Sequence, residues 1–275
     1  MYELMAVIDI LQLVGYQFFQ HALLGGIIAA LACTGVGLLL ILRKEAMIAD
    51  GISHTAFGGI ALGLLLGIYP VVTALIVSIF AVLGISYLKR KGYAQSDAAI
   101  AVMLALGFST GLIILSFVKG FNVELFSYLF GSILTINELD LLTVLVLGFV
   151  TMLFLGLFYK ELLAITFDEQ SAKLTGIPTG AFTLGFNLLV ATTIVLSIKI
   201  IGIILVVALI VLPGLTALQL RRSFRQTLFA SFGFGGLSVF AGIFLSALFD
   251  VATSGVIVVL AVVFFLIVVL FRRVR

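Results

Sequence analysis

The chain has 275 residues, of which 63% are hydrophobic and 10% are charged, and its formal net charge is +3. Soluble globular domains carry charge on about a quarter of their residues, so this composition excludes an ordinary soluble domain and makes lipid the expected solvent. Cys33 is the single cysteine, which excludes an intrachain disulfide and a cysteine-based zinc cluster.

Long apolar runs follow one another with short polar breaks, and they are apolar on every face. That pattern predicts helices rather than the alternating segments of a β-barrel. A span needs about 20 apolar residues, and we therefore predict an all-α polytopic transmembrane helical bundle of eight or nine spans, forming a single transmembrane domain over residues 1–275. The candidate spans lie near residues 18–42, 46–67, 70–88, 98–117, 141–159, 181–198, 200–219, 228–247 and 255–271.

The breaks between some spans are very short, notably at residues 67–70 and 198–202. Residues 123–136 are apolar but interrupted by Glu124 and Gly131, and we expect an interfacial or re-entrant helix there rather than a span. The first residues lack the pattern of a cleaved signal peptide, so the spans themselves are expected to direct insertion.

The distribution of cations predicts the orientation. If the first span runs from the outside to the cytoplasm and successive spans alternate in direction, Lys119 and Lys199 are the only Lys or Arg residues placed outside. The positive-inside rule then predicts a multi-pass protein of the plasma membrane with a cytoplasmic C-terminus. The basic cluster at residues 221–225 is expected to anchor to lipid headgroups, and the net charge gives no support for nucleic-acid binding. The cations placed in the cytoplasm are Arg43, Lys44, Lys89, Arg90, Lys91, Lys160, Lys173, Arg221, Arg222, Arg225, Arg272, Arg273 and Arg275.

Two early helices carry small residues at a spacing of four, which places each set on one helix face. Small faces let membrane helices approach closely, so both helices are expected in the protein interior. Glycine is also simply common in membrane helices, and that explanation stays open. The stripes are Gly25, Ala29, Cys33 and Gly37 on the first helix and Gly51, Thr55, Gly59, Gly63 and Gly67 on the second.

Asp50 and His54 stand at the most polar entry into any apolar run. Ionisable groups are costly in the bilayer and usually face a cavity, a partner or a transport path. One helical turn separates the two residues, so a carboxylate oxygen and an imidazole nitrogen can point at one divalent cation. The alternative is that Asp50 caps the helix and that His54 binds a neighbouring carbonyl.

Residues 160–180 contain an acidic start at Asp168 and Glu169 and a stop at Gly176 and Pro178. This pattern predicts a short cytoplasmic helix, which is either a docking element or an ordinary solvated connector.

Four separated motifs follow one another along the chain. They are Met47-x-x-Asp50-Gly51-x-Ser53-His54-x-x-Phe57-x-Gly59-x-Ala61-x-Gly63, Phe167-Asp168-x-x-x-Ala172-x-x-x-Gly176-Ile177-Pro178, Gly202-x-x-Leu205-Val206-x-Ala208-Leu209-x-x-x-Pro213, and a closing segment at Gly255. In order and in spacing they closely resemble the motifs of the zinc and manganese permease family of ATP-binding-cassette (ABC) importers, and the Asp-x-x-Ser-His core is the most specific of them. Where the family often has Pro-Ser-Gly and Pro-Ala-Ala, this chain has Thr253-Ser254-Gly255 and Pro213-Gly214-Leu215.

The resemblance implies that Asp50 and His54 handle a transported divalent metal, zinc in preference to manganese, with no permanently bound cofactor. It further implies a coupling helix at residues 160–180, with Asp168, Glu169, Ala172 and Gly176 receiving force from a cytoplasmic ATP-binding subunit. The remaining partners that it implies are an extracytoplasmic metal-binding protein, a second copy of the permease and the surrounding lipid.

Other function classes fit less well. The sequence contains no G-x-x-x-x-G-K-[ST] motif, so the chain is not itself a P-loop ATPase. A secondary transporter is the main alternative, but it would typically show repeated halves and several intramembrane charges. An intramembrane hydrolase is not expected, because H-E-x-x-H is absent and His21 is predicted to be interfacial.

Overall fold

The computed structural model describes residues 14–117, 128–129, 131 and 136–273. Within this part of the chain the regular elements are helices, and no strand occurs. They are α1 (Gln17–Leu42), α2 (Met47–Leu66), α3 (Pro70–Arg90), α4 (Ser96–Phe117), α5 (Glu138–Leu157), α6 (Tyr159–Phe167), α7 (Glu169–Leu174), α8 (Thr179–Ile201), α9 (Ile203–Leu218), α10 (Phe224–Phe249) and α11 (Thr253–Arg273).

Eight helices in the described residues are long and apolar enough to cross a membrane, namely α1–α5, α8, α10 and α11. Each has at least 20 residues, and at 1.5 Å per residue that length matches a hydrocarbon core of about 30 Å. A helix satisfies all of its interior backbone hydrogen bonds within one segment, which is why apolar runs of this length adopt it in lipid. The predicted all-α transmembrane fold is confirmed.

The predicted span at residues 200–219 is shorter in the structure. Helix α8 continues to Ile201, Gly202 adopts a φ of +81° and so breaks the helix, and α9 begins at Ile203. The 16 residues of α9 reach roughly 24 Å, less than a bilayer core. Most of the stretch 123–136, predicted to be interfacial or re-entrant, lies outside the described residues.

The helices divide into two compact units. The first unit contains α1 up to Leu38, α5 up to Val150, the end of α8 from Ser197, and α9–α11. The second unit contains α2–α4, α6, α7, the rest of α5 from Thr151 and α8 up to Leu196. The single domain expected over residues 1–275 remains a prediction.

In the first unit, α9 packs against α10 and α11. Pro213 lies inside α9 and has no N–H, so the carbonyl of Leu209 loses its usual helical donor. The hydroxyl of Thr34, from α1, lies 3.4 Å from that carbonyl oxygen. A Cβ placed on Gly235 of α10 would lie 2.6 Å from the Thr34 hydroxyl, so these helices meet closely where α9 contains its proline.

In the second unit, α2 packs against both α3 and α4. A Cβ on Gly59 would lie 2.5 Å from the Cα of Ala74, and one on Gly51 would lie 2.6 Å from the Ile100 side chain. The α2 backbone therefore approaches its neighbours too closely for larger residues. Gly67 differs from the rest of the predicted stripe: it follows α2 as a left-handed C-cap with a φ of +66°, and no described residue lies within 4 Å of a Cβ placed there. Its backbone conformation terminates the helix, and its packing role stays a prediction.

Candidate metal site

Asp50 and His54 lie together on the first turns of α2. The Nε2 atom of His54 is 3.4 Å from Oδ1 of Asp50, and each side chain is about one-third exposed. The spacing of four residues produces this pairing, since positions i and i+4 lie one above the other on a helix. The structure thus brings the two sequence-predicted residues together on one face.

The geometry differs from that of a helix cap. Ala46 occupies the N-cap position of α2 and makes no side-chain capping bond, whereas Asp50 lies inside the first turn. Ser53, the third polar residue of the motif, is fully buried, and its hydroxyl donates to the carbonyl of Ala49 at 2.7 Å. The Ser53 hydroxyl is therefore engaged with its own helix, while the Asp50 and His54 side chains face each other.

The pair offers one oxygen and one nitrogen donor, a combination that suits borderline divalent transition metals. Among the described residues, no group of three or more His, Cys, Asp and Glu side chains is arranged to hold a metal ion. A cation at Asp50 and His54 would keep water or other donors in its remaining positions. With only two protein donors, such a site would hold a cation weakly and release it readily.

Aromatic side chains border the pair. The ring of Phe108, from α4, meets the His54 imidazole edge to face, with centroids 5.2 Å apart and an interplanar angle of 85°. The Phe57 ring also meets Phe108, with ring centroids 5.5 Å apart. Phe108 was not predicted from the sequence, because the hydropathy of α4 gives no sign of which phenylalanine meets α2.

A cluster of charges lies just before α2. The Glu45 carboxylate accepts from Lys89 at 2.5 Å and lies 3.3 Å from Nε of Arg43. Arg43 also donates to the Thr183 hydroxyl at 3.3 Å, and its guanidinium lies 5.3 Å from the Phe186 ring centroid. The sequence analysis placed Arg43 and Lys89 in the cytoplasm, but it did not predict that they share Glu45.

The stretch 160–180, predicted to contain a short helix, has two short helices, α6 and α7, with Asp168 between them, and its cytoplasmic position stays a prediction. Asp168 is the N-cap of α7 and accepts from the backbone N–H groups of Gln170 and Ser171 at 3.0 and 3.1 Å. The Ser171 hydroxyl also donates to Asp168, and the hydrogen bonds from Ser171 lower the pKa of this carboxyl below its ordinary value. Ala172 is buried, and Gly176 ends the segment with a φ of +86°.

Lys199, one of the two cations predicted to lie outside, forms an ion pair with Asp140. Asp140 stands in the first turn of α5, where its backbone N–H donates to the Asn137 side chain at 2.8 Å. This pair belongs to the first unit, and the sequence analysis did not predict it.

Comparison with known proteins decides the family. The ABC 3 transport family model matches residues 15–272, nearly the whole chain. This chain belongs to the ABC 3 transport family. Its membership agrees with the resemblance that the four sequence motifs carry and with the eight apolar helices of the fold.

Individual known proteins are similar to this chain over almost its full length. The chain is 33% identical over 250 residues to the manganese transport system membrane protein MntC of Halalkalibacterium halodurans, covering 91% of this chain and 86% of that protein. It is 30% identical over 260 residues to a Haemophilus influenzae protein named "Probable iron transport system membrane protein", covering 94% of this chain and 96% of that protein. Among solved structures, PsaBC from Streptococcus pneumoniae in complex with Fab matches with a TM-score of 0.85 and 30% identity, and 95% of each chain is covered.

Proposed function

We propose that this ABC 3 family protein is the membrane permease subunit of an ABC importer that takes up a divalent transition metal, and that Asp50 and His54 lie on the metal's path. The observation that carries the proposal is the pairing of a carboxylate and an imidazole 3.4 Å apart on α2. Both side chains are partly exposed, so a cation could reach them, and the aspartate charge would offset part of the cost of removing water from the ion.

The energy source is proposed to be a separate ATP-binding subunit. The sequence contains no P-loop of its own, so ATP hydrolysis needs a partner. The α6–α7 segment offers a docking element: Phe167 and Leu174 are 71% and 89% exposed at its two helix ends, and Asp168 and Glu169 add acidic character. Exposed apolar residues rimmed by polar ones are typical of a protein interface.

The complete importer is proposed to contain two copies of this permease, two ATP-binding subunits and an extracytoplasmic metal-binding protein, embedded in lipid of the plasma membrane. The eight membrane-length helices found among the described residues are few for one transport pathway, which supports a second copy. The distribution of Lys and Arg supports a cytoplasmic C-terminus and therefore a cytoplasmic position for α6 and α7.

Manganese is the first metal to test, because the Halalkalibacterium halodurans relative is named for manganese transport. The name of the Haemophilus influenzae relative adds iron(II) as a second candidate. Zinc, which the sequence motif favoured, finds no support in these names. One carboxylate and one imidazole suit all three ions, so the donor set alone does not separate them.

ATP-dependent uptake tests the proposed function. The permease is copurified with its ATP-binding subunit, reconstituted into liposomes with the binding protein, and supplied with radioactive manganese, iron(II) or zinc. ATP-driven accumulation of one of these ions is expected, and a variant ATP-binding subunit unable to hydrolyse ATP should abolish it. Uptake by the permease alone under a proton gradient would instead establish the secondary-transporter alternative.

A further inference from the structure

Helix α4 places one aromatic side chain directly on the metal pair. The Phe108 ring meets the His54 imidazole edge to face at 5.2 Å and also contacts Phe57 at 5.5 Å. Phe108 is half-buried, so its ring serves partly as a packing surface and partly as a boundary of the exposed site.

The position of Phe108 is fixed by close backbone contacts on both sides of it. A Cβ on Gly107 would lie 2.6 Å from the Cα of Thr55, and one on Gly111 would lie 2.9 Å from the Cα of Gly58. Helices α2 and α4 therefore touch along the same face that carries Phe108. This close packing holds the α4 backbone at Phe108 against α2, next to His54.

An imidazole one-third exposed has several rotamers available, and only some point Nε2 toward Asp50. An aromatic edge-to-face contact favours one ring orientation over the others. In the structure, the orientation that meets Phe108 is also the one that brings Nε2 to 3.4 Å from the aspartate oxygen. A single imidazole orientation thus makes both contacts of His54.

We propose that Phe108 is a positioning residue that holds the His54 nitrogen beside Asp50 and thereby determines which cations the pair accepts; this inference rests on the proposed function. A carboxylate alone suits the hard ions Mg²⁺ and Ca²⁺, whereas an added imidazole nitrogen favours transition metals. Without the Phe108 ring the imidazole is free to turn away. The site then loses its nitrogen donor and, with it, its preference over Mg²⁺ and Ca²⁺.

The decisive measurement is pulsed electron paramagnetic resonance of Mn²⁺ bound to the purified full chain in lipid nanodiscs, without a polyhistidine tag. In this experiment, an imidazole nitrogen bound directly to Mn²⁺ modulates the decay of the manganese electron spin echo. The wild-type chain should show this nitrogen modulation, and His54→Ala should set the baseline without it. The chain has one other histidine, His21, whose contribution remains in that baseline.

Three substitutions at Phe108 separate positioning from packing. Phe108→Ala and the volume-preserving Phe108→Leu should both lose the nitrogen modulation, whereas Phe108→Tyr, which retains the ring, should keep it. In the reconstituted complex, Ca²⁺ should inhibit metal uptake by Phe108→Leu at a roughly tenfold lower concentration than it inhibits uptake by the wild type. Tenfold is about the lower end of the effect of losing a residue that orients a metal ligand. Phe117→Ala, on the same helix but 70% exposed, is the matched control and should behave as wild type.

The outcomes are distinguishable. If Phe108→Leu retains both the nitrogen modulation and the wild-type inhibition by Ca²⁺, the positioning role is wrong, while the metal pair itself stands. If the wild-type chain shows no modulation beyond the His54→Ala baseline, the metal assignment of His54 fails, and the role of Phe108 fails with it.

Discussion

The Lys89 ammonium donates to the Glu45 carboxylate at 2.5 Å, which joins the last turn of α3 to the segment immediately before α2. Arg43 approaches the same carboxylate, and the side chains of Arg43 and Glu45 are only 9% and 10% exposed. One carboxylate thus pairs with two cations close to the start of the helix that carries Asp50. Removing its charge would leave the buried Arg43 guanidinium without an anionic partner.

We therefore predict that Glu45→Gln destabilises the second unit by about 3 kcal/mol, the lower end of the cost of breaking a buried ion pair. Thermal unfolding of the purified chain in one detergent should show a lower Tm than the wild type. Glu138→Gln, which alters an exposed glutamate in the first turn of α5, is the control and should leave Tm unchanged. Equal Tm values for Glu45→Gln and the control would show that the cluster contributes nothing to stability.

Close packing of α2 on α3 leads to a second prediction. Gly59→Ala places a Cβ 2.5 Å from the Cα of Ala74, so the helix backbones must separate, at a cost of about 1–3 kcal/mol. Gly233→Ala adds the same methyl group to α10 at a point where no described residue lies within 4 Å of the new Cβ, and it should be neutral or stabilise the helix by up to about 1 kcal/mol. Tm measurements on Gly59→Ala and Gly233→Ala test both expectations. A Gly59→Ala chain as stable as Gly233→Ala would mean that α2 and α3 can separate without cost.

The cap of α7 gives a pH prediction. Hydrogen bonds from the Ser171 side chain and backbone, with a smaller one from Gln170, lower the pKa of Asp168 below its ordinary value of 3.8. A carboxyl whose folded pKa is lowered stabilises the folded state above its unfolded pKa, and that stabilisation is lost as the pH falls through the folded pKa. Between about pH 5 and 8 the Asp168 cap should therefore stay ionised and intact.

Ser171→Ala removes the largest of these hydrogen bonds and should move the pKa of Asp168 upward, toward its ordinary value. Carboxyl-carbon NMR of the labelled chain in nanodiscs, with the resonance assigned through Asp168→Asn, measures the shift. An unchanged titration of Asp168 in Ser171→Ala would mean that the serine hydroxyl does not stabilise the ionised carboxylate.

The α6–α7 segment gives a fourth prediction, concerning the partner. Asp168 and Glu169 are exposed at the start of α7, so Asp168→Lys together with Glu169→Lys should weaken association with the ATP-binding subunit or uncouple hydrolysis from uptake. Insertion should be unchanged, because both residues lie outside the membrane-length helices. Copurification and stimulated ATPase activity are the measurements. Wild-type values for both, together with wild-type uptake, would assign the segment to an ordinary solvated connector.

Much of the fold could be predicted from hydropathy, because each membrane-length helix must be apolar over most of its length. The bounds of α2, predicted as residues 46–67, are Met47–Leu66 in the structure. A break at residues 198–202 was predicted, but the shortness of α9 was not: the predicted span 200–219 is Ile203–Leu218 in the structure, because Gly202 with its positive φ separates it from α8. A spacing of four likewise placed Gly67 on a packing face, although its left-handed conformation ends the helix.

For the candidate site, the local part was predictable and the long-range part was not. Asp50 and His54 are four residues apart, so helical geometry alone brings them together. Phe108 lies 54 positions after His54, and its contact depends on how α4 packs on α2. The same holds for Glu45 and Lys89, whose separation of 44 residues carries no periodic signal.

The role of Asp50 and His54 is the central claim, and metal uptake by the reconstituted importer tests it most directly. We expect Asp50→Asn and His54→Ala each to reduce ATP-driven uptake strongly, because each removes one of the two donors, and the double variant to reduce it at least as far. Ser53→Ala should have a milder effect, since the Ser53 hydroxyl donates within α2 to Ala49. Uptake is normalised to inserted protein, and ATPase assembly is confirmed by copurification. Near-normal uptake by the Asp50→Asn, His54→Ala double variant would contradict the account.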